Sequence, residues 1–303
     1  MSLKRVLQSI GGNLVKGAPV TLVTEHKEPS PEQKETTADE LYAAFWEHLH
    51  TIEPKDWDLE GFYQRIRRGQ PVSAEPLVAV ISPTYRETES IAKKGRQSRN
   101  EVRQDLAAHG IGSITAGIDG DSLVCRMRQR ASHLFLSSPA TYMLFWDADI
   151  VANDPGCLRK MLATGHDVIA GACPFKDMSG RTVHNLFPED EGKPLERDEH
   201  GCVEVQDAGT GFLLVSRRAL IAMQKSHPEL LHINISRSND RGAPLWALFD
   251  TGVADGVYQS EDYNFSRYWQ GIGGKVYVYT PATFQHWGEH GFEASFEKQY
   301  GLA

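Results

Sequence analysis

From Pro76 onward, short apolar runs alternate with helix-length segments, and that alternation leaves few folds open to the chain. "EPLVAVISPTY" is a continuous apolar run stopped by Ser82, Pro83 and Thr84. "ESIAKKGRQSRNEVRQDLAAHG" reads as a helix ending at Gly110, and "IGSITAGIDGD" as a second strand. "DSLVCRMRQRASHLFLSS" reads as a helix with Asp121 or Ser122 as N-cap. "TYMLFWDAD" is a third strand, "CLRKMLATG" a helix closed by Gly165, and "HDVIAGACPF" a fourth strand. Strands joined by helical crossovers run parallel and are covered on both faces. The expectation is an α/β, Rossmann-like, mostly parallel sheet flanked by helices. Such sheets bind ligands beyond the carboxyl ends of their strands.

A polar loop follows Lys176 and runs to about residue 201. "CVEVQDAGTGFLLVSRRALIAMQKS" then gives a strand, a Gly-rich turn, another strand and a helix. "SEDYNFSRYWQGIGGKVYVYTPATFQHWGEHGF" reads as a helix, a glycine stop, a strand and a loop carrying His286. No internal repeat is visible.

Residues 1–75 read differently. "EHKEPSPEQKETTADE" is polar, with Pro29 and Pro31, and reads as a loop. "TTADELYAAFWEHLHTI" reads as a helix starting near Thr37 or Ala38, with an apolar stripe of Leu41, Ala44, Phe45 and Leu49. "DLEGFYQRIRRG" reads as a short helix stopped at Gly69. The region carries no catalytic signal. The division expected is a partly helical extension over 1–75 and the main domain over 76–303. Leu3, Val6, Leu7, Ile10 and Leu14 share one helical face, which suits packing on the protein's own body or a weak membrane-surface contact.

No stretch approaches the ~20 apolar residues of a membrane helix. Gly11, Gly12, Asn13 and Lys16 interrupt any signal-peptide core. The net charge of −8, from 40 acidic and 32 basic side chains, argues against a general nucleic-acid binder. Cys125, Cys157, Cys173 and Cys202 form no C-x-x-C pair, so no zinc knuckle is expected. They read as free thiols in a reducing compartment, and the expected location is cytoplasmic.

The third strand runs straight into Asp147, Ala148 and Asp149. Residues two apart in a strand point to one face, ~6.6 Å apart. A hard divalent cation binds oxygen at about 2.1 Å. A bend at the strand end lets both carboxylates address one ion. Alternatively, one holds the ion and the other a hydroxyl or a metal-bound water. A solvated turn after a strand would look the same in isolation.

Four further stretches stand in order around this one: "VISPTY", "DAGTGFLLVSRRAL", "SEDYNFSRYWQGIGGKVYV" and "FQHWG". Together they resemble the nucleotide-sugar-dependent glycosyltransferases of the GT-A fold, in the bacterial and phage branch similar to family 2. The resemblance spans roughly residues 76–290. It implies that Asp147 and Asp149 hold a Mn²⁺ or Mg²⁺ ion on the donor diphosphate, with Asp147 also touching the donor, and that His286 completes the metal site. Imidazole suits Mn²⁺ better than Mg²⁺. It also implies that Pro83 and Thr84 line the nucleotide base and that Arg128 matches a helical arginine. Gln129 stands where that motif commonly has asparagine. Glu261 and Asp262 match the acidic pair that supplies the base in inverting members, with Asp262 the first choice.

Each residue also has a plainer reading. Glu261 and Asp262 suit any helix start through the dipole. Gly209 and Gly211 make a tight turn, or let a donor sugar approach the backbone. Asp207 could bind a sugar hydroxyl and Lys176 a phosphate. His133 reads as structural, Trp146 as core, and Trp287 as a stacking surface. The activity implied is transfer of a sugar from a nucleoside-diphosphate sugar to an acceptor hydroxyl, with inversion. The acceptor is unspecified: a glycan, a protein, a small molecule or modified DNA. The alternatives are a nucleotidyltransferase, although "VISPTYRETES" lacks the glycines of a phosphate loop, and a non-catalytic carbohydrate-binding protein on the same fold.

Overall fold

Of the chain's residues, the computed structural model describes 36–302 except 50, 85–88, 120, 237, 255 and 289. The N-terminal face of Leu3 to Leu14 and the Pro29–Pro31 loop lie outside the described residues, as does the side chain of Thr84. In chain order the first half comprises α1 (Ala38–His48), α2 (Leu59–Ile66), β1 (Leu77–Thr84), α3 (Glu89–Ala108), β2 (Gly112–Asp119), α4 (Val124–Leu136), β3 (Tyr142–Trp146), β4 (Ile150–Ala152), α5 (Cys157–Ala163) and β5 (Val168–Gly171). The second half comprises β6 (His184–Asn185), β7 (Cys202–Val205), β8 (Asp207–Ala208), β9 (Phe212–Ser216), α6 (Arg217–Ser226), β10 (Leu231–Ile233), β11 (Pro244–Trp246), β12 (Gly252–Ala254), β13 (Val257–Gln259), α7 (Glu261–Gly271), β14 (Val276–Tyr279), β15 (Phe284–Trp287), β16 (Gly291–Ala294) and α8 (Phe296–Tyr300).

Seven strands form the central sheet in the order β2-β1-β3-β9-β5-β14-β7. β1, β2 and β3 run parallel, as do β5 and β14. β9 is inserted antiparallel between β3 and β5, and β7 is antiparallel to β14 at the edge. The sheet is therefore mostly parallel and Rossmann-like, with two reversed strands. Alternation along the strands builds two cores. Ala79, Ile81, Met143 and Phe145 enter one apolar cluster, and Val78, Val80, Leu144 and Trp146 the other. The long apolar runs follow from burial on both faces.

The reversal of β9 matters for function. Phe212 pairs with Trp146, so the turn before β9 meets the turn after β3 at one end of the sheet. A second, three-stranded sheet, β16-β15-β4, sits beside that end. It pairs His286 with Ile150, one residue after the D-x-D turn. His286 thus lies in a strand, where a loop was expected.

The segment 38–66 shares the first core. Tyr42, Trp57, Leu59, Phe62, Tyr63 and Ile66 join the cluster that holds Phe135 and Met143. Thr37 closes α1 with a capping box to Glu40. In α1 the stripe differs from expectation: Tyr42 is buried and Ala44 is exposed. The buried arc centres on Tyr42, whose hydroxyl meets His133 Nε2 at 3.1 Å. Two buried arginines fasten this segment further. Arg217 donates to the carbonyls of Leu136, Ser138 and Ala140, and Arg67 to that of Leu136, while both reach Glu60.

Helix α4 starts at Val124 without a side-chain cap, not at Asp121 or Ser122. Asp121 is already engaged. It accepts from the Leu123 amide at 3.0 Å and pairs with Arg126 at 2.5 and 2.7 Å.

His133 and His184 give the fold a pH dependence. Both are buried, at 5% and 8% exposure, and burial lowers each imidazole to about 4. Unfolded histidine takes up its proton near 6.5. Between those values the unfolded chain binds more protons, so stability falls as the pH falls from about 6.5 to about 4. The loss expected is on the order of 3 kcal/mol per histidine. Urea midpoints measured across this interval should drop steadily; a flat profile would contradict burial as neutral imidazoles.

Candidate active site

The D-x-D turn is held by backbone bonds on several sides. The Ile150 amide donates to the Asp147 carbonyl at 3.1 Å, and the Trp146 indole to the Ile150 carbonyl at 2.8 Å. Trp146 is fully buried, as expected. The Asp147 amide donates to the Gly211 carbonyl at 2.9 Å, and the Trp287 amide to the Asp149 carbonyl at 2.8 Å. Gly95 of α3 presses against the same turn: a Cβ there would stand 2.1 Å from the Ala148 carbonyl oxygen. With its backbone engaged, the turn is free to present both carboxylates.

Asp149 meets Lys176 Nζ at 2.5 Å and His286 Nε2 at 3.5 Å. Burial pushes its carboxyl up, but the contacts with His286 and Lys176 prevail and hold it at about 2. His286 Nδ1 lies 2.9 Å from the Pro174 carbonyl, a partner that accepts only, so Nδ1 carries the hydrogen. In the neutral ring, the Nε2 lone pair then faces the Asp149 carboxylate. A protonated ring would donate to that carboxylate, which the Lys176 ammonium already meets. With the ring neutral, the separation suits a divalent cation between the two, since two ligands of one ion stand about 3 to 4 Å apart. This donor set fits Mn²⁺ or Mg²⁺. A backbone bond that fixes the metal-binding tautomer is the usual support for such a histidine.

Asp147 turns the other way. Its carboxylate faces Arg128 Nη2 at 3.3 Å. Burial pushes this carboxyl above the usual range, against the pull of Arg128. Arg128 is only 3% exposed. Its Nε is 3.6 Å from Glu261, and Nε and Nη1 have no hydrogen-bond partner among the described residues. A buried guanidinium with unused donors is suited to oxygens of a bound anion or hydroxyl. Its neighbour Gln129 is buried and reaches the Phe249 carbonyl at 3.4 Å, which is a packing role.

Glu261 and Asp262 open α7 and diverge, as their adjacency predicts. Glu261 faces Arg128, whereas Asp262 accepts from the Ser260 hydroxyl and, at 3.0 Å, from the Tyr263 amide. Burial raises the Asp262 carboxyl, opposed by the Ser260 bond and reinforced by Glu261.

Pro83 is buried near the carboxyl end of β1, the strand that pairs with β3, so it shares this end of the sheet. Gly211 adjoins Asp147, and a Cβ there would make only ordinary contacts with Ile150, Cys173 and Asp147. Gly209 is different: a Cβ would stand 2.9 Å from Val183 Cγ1, so its bareness serves packing. Asp207 is fully buried and engaged by Asn185 and Arg267, an internal network rather than a sugar contact. Lys176 is exposed, yet its ammonium is paired with Asp149. The ring of Trp287 carries the Lys94 ammonium at 3.9 Å.

A group absent from the sequence reading comes from His166, Asp198 and Cys202, whose ligand atoms lie within 4.8 Å of one another and could hold a metal ion. No local spacing announces it; folding alone brings residues 166 and 202 together.

Fold and site together define a Rossmann-like α/β protein with carboxylates, an imidazole and a buried arginine at the carboxyl ends of parallel strands. No protein-family model matches the chain, and no curated protein matches it. Among solved structures it is similar to A197 from STIV, at TM-score 0.38 and 16% identity over 70% of this chain and 85% of that one. It is also similar to a glycosyltransferase involved in the glycosylation of the major capsid of PBCV-1, at TM-score 0.29 and 14% identity over 50% and 66%. A third is 4-diphosphocytidyl-2C-methyl-D-erythritol synthase from Anaerococcus prevotii, at TM-score 0.34 and 11% identity over 68% and 89%. No helix among the described residues is long and apolar enough to cross a membrane.

Proposed function

We propose that the chain is a metal-dependent glycosyltransferase of the GT-A type that moves a sugar from a nucleoside-diphosphate sugar to an acceptor hydroxyl, with inversion. Residues 76–303 form the transferase unit in this reading, and 1–75 an extension. The observation that carries it is the Asp149–His286 pair, whose imidazole is turned by Pro174 to offer Nε2 toward the carboxylate. Asp149 and His286 hold the ion, with Asp147 beside them. The ion, when bound, offsets the charge that grows on the departing diphosphate.

The chain's own residues do the rest. Arg128 directs its unused donors to donor oxygens and is kept in place by Asp147 and Glu261. Pro83 and Thr84 border the nucleotide, and Gly211 leaves room beside Asp147. Asp262 takes the proton from the acceptor hydroxyl as that oxygen attacks the anomeric carbon from the face opposite the leaving group. Its raised carboxyl makes it a stronger base than an ordinary aspartate.

Donor hydrolysis requires no knowledge of the acceptor. With Mn²⁺ present, one member of a panel of nucleotide-sugars should be slowly hydrolysed, releasing a nucleoside diphosphate and free sugar. Release of pyrophosphate from a nucleoside triphosphate, with every nucleotide-sugar intact, would favour the nucleotidyltransferase reading instead.

A further inference from the structure

Three side chains converge around β14 from separate parts of the chain. His166 precedes β5, Asp198 lies in the loop before β7, and Cys202 opens β7. His166 Nε2 is 2.7 Å from one Asp198 oxygen. Its ring is stacked on Tyr277, with centroids 3.7 Å apart and planes 12° from parallel, which fixes its orientation. The other Asp198 oxygen accepts from the amides of His200 and Cys202 at 2.9 and 2.7 Å. The carboxylate is thereby held with one oxygen turned toward the imidazole. Cys202 is 1% exposed, while the His166 and Asp198 side chains are 20% and 27% exposed.

We propose that His166, Asp198 and Cys202 form a second metal site, chemically unlike the Asp149–His286 pair, that takes Zn²⁺. Nitrogen, oxygen and sulfur from three side chains make a zinc-type donor set, whereas Mn²⁺ and Mg²⁺ favour oxygen. Three protein ligands leave a fourth position, which solvent reaches along the exposed sides of His166 and Asp198. Burial, with Asp198 adding, pushes the Cys202 thiol up to about 12, so the metal-free thiol is protonated. Zinc binding displaces two hydrogens. The thiol proton leaves to solvent as the Zn–S bond forms, and the hydrogen that His166 shares with Asp198 moves to the other ring nitrogen, so that the ion replaces the 2.7 Å hydrogen bond between them. The ion would fasten the edge strand β7 to the segment entering β5, across β14. Such a site has no C-x-x-C signature, because its ligands come from three segments.

Cobalt provides the test, since only a thiolate ligand adds an intense near-ultraviolet charge-transfer band to its visible absorption. Titration of the full chain with Co²⁺ should give this band, saturating at about one ion per chain, and Zn²⁺ should abolish it. Cys202→Ser should lose the band and His166→Ala should weaken the binding at least tenfold, whereas Asp149→Asn should keep it. Absence of the band in the unaltered chain would overturn the proposal and leave a hydrogen-bonded trio. Persistence of the band in Cys202→Ser would overturn it too, by assigning the thiolate to another cysteine.

Discussion

Replacing Asp262 by Asn is expected to lower turnover by ~10² or more, the usual scale for loss of a general base. Donor binding should stay nearly unchanged, because it rests on Asp149, His286 and Arg128. Asp262 stands at the start of α7 with its carboxylate oriented by Ser260 and the Tyr263 amide. Its raised value sets the pH dependence. The base works only when ionised, so activity should fall on acidification at a pH above the usual carboxylate range. The Asp262→Asn variant should lack that limb in whatever activity survives. Glu261 is a weaker candidate, since Arg128 faces it at 3.6 Å. Glu261→Gln should instead loosen Arg128 and raise the KM for the donor. Product configuration determined by NMR completes the test. Retention at the anomeric carbon would remove the case for a direct base. A fully active Asp262→Asn with an inactive Glu261→Gln would move the role one residue upstream.

Asp149→Asn is expected to abolish the strengthening of nucleoside diphosphate binding by divalent cations. The substitution keeps the shape of the turn, whose backbone bonds to Trp287 and Ile150 do not use this side chain. It removes the charge that holds the ion and leaves Lys176 without its 2.5 Å partner. Calorimetry with and without Mn²⁺ measures the effect. An undiminished Mn²⁺ effect in the variant would show that the ion is held elsewhere.

The central sheet was legible because its strands are buried on both faces. Val78 to Ile81 and Met143 to Trp146 supply apolar residues to both cores, so each strand stands out as an unbroken run. Gly110 and Gly165 mark helix ends because their φ values of 76° and 72° suit glycine. The reversal of β9 was not legible. Its sequence "GFLLVS" reads the same in either direction, and pairing with β3 and β5 decides. The same holds for His286, whose strand exists through pairing with Ile150 of β4 on one side and Phe292 of β16 on the other. Of the candidate site, residue types at strand ends were readable, but partners were not. Lys176 on Asp149, Arg128 between Asp147 and Glu261, and Gly95 under Ala148 join residues far apart in the chain. Asp207 and Gly209 show the converse. Their placement suggested sugar contact, yet Arg267, Asn185 and Val183 occupy the space around them.

Anomalous diffraction at the manganese edge, from crystals grown with Mn²⁺ and a nucleoside diphosphate, tests the central assignment most directly. The account predicts a peak within bonding distance of an Asp149 oxygen and His286 Nε2, with diphosphate oxygens completing the shell and Arg128 reaching the nucleotide or its phosphates. A structure with bound nucleotide but no peak beside Asp149, or with manganese only at His166 and Cys202, would contradict it.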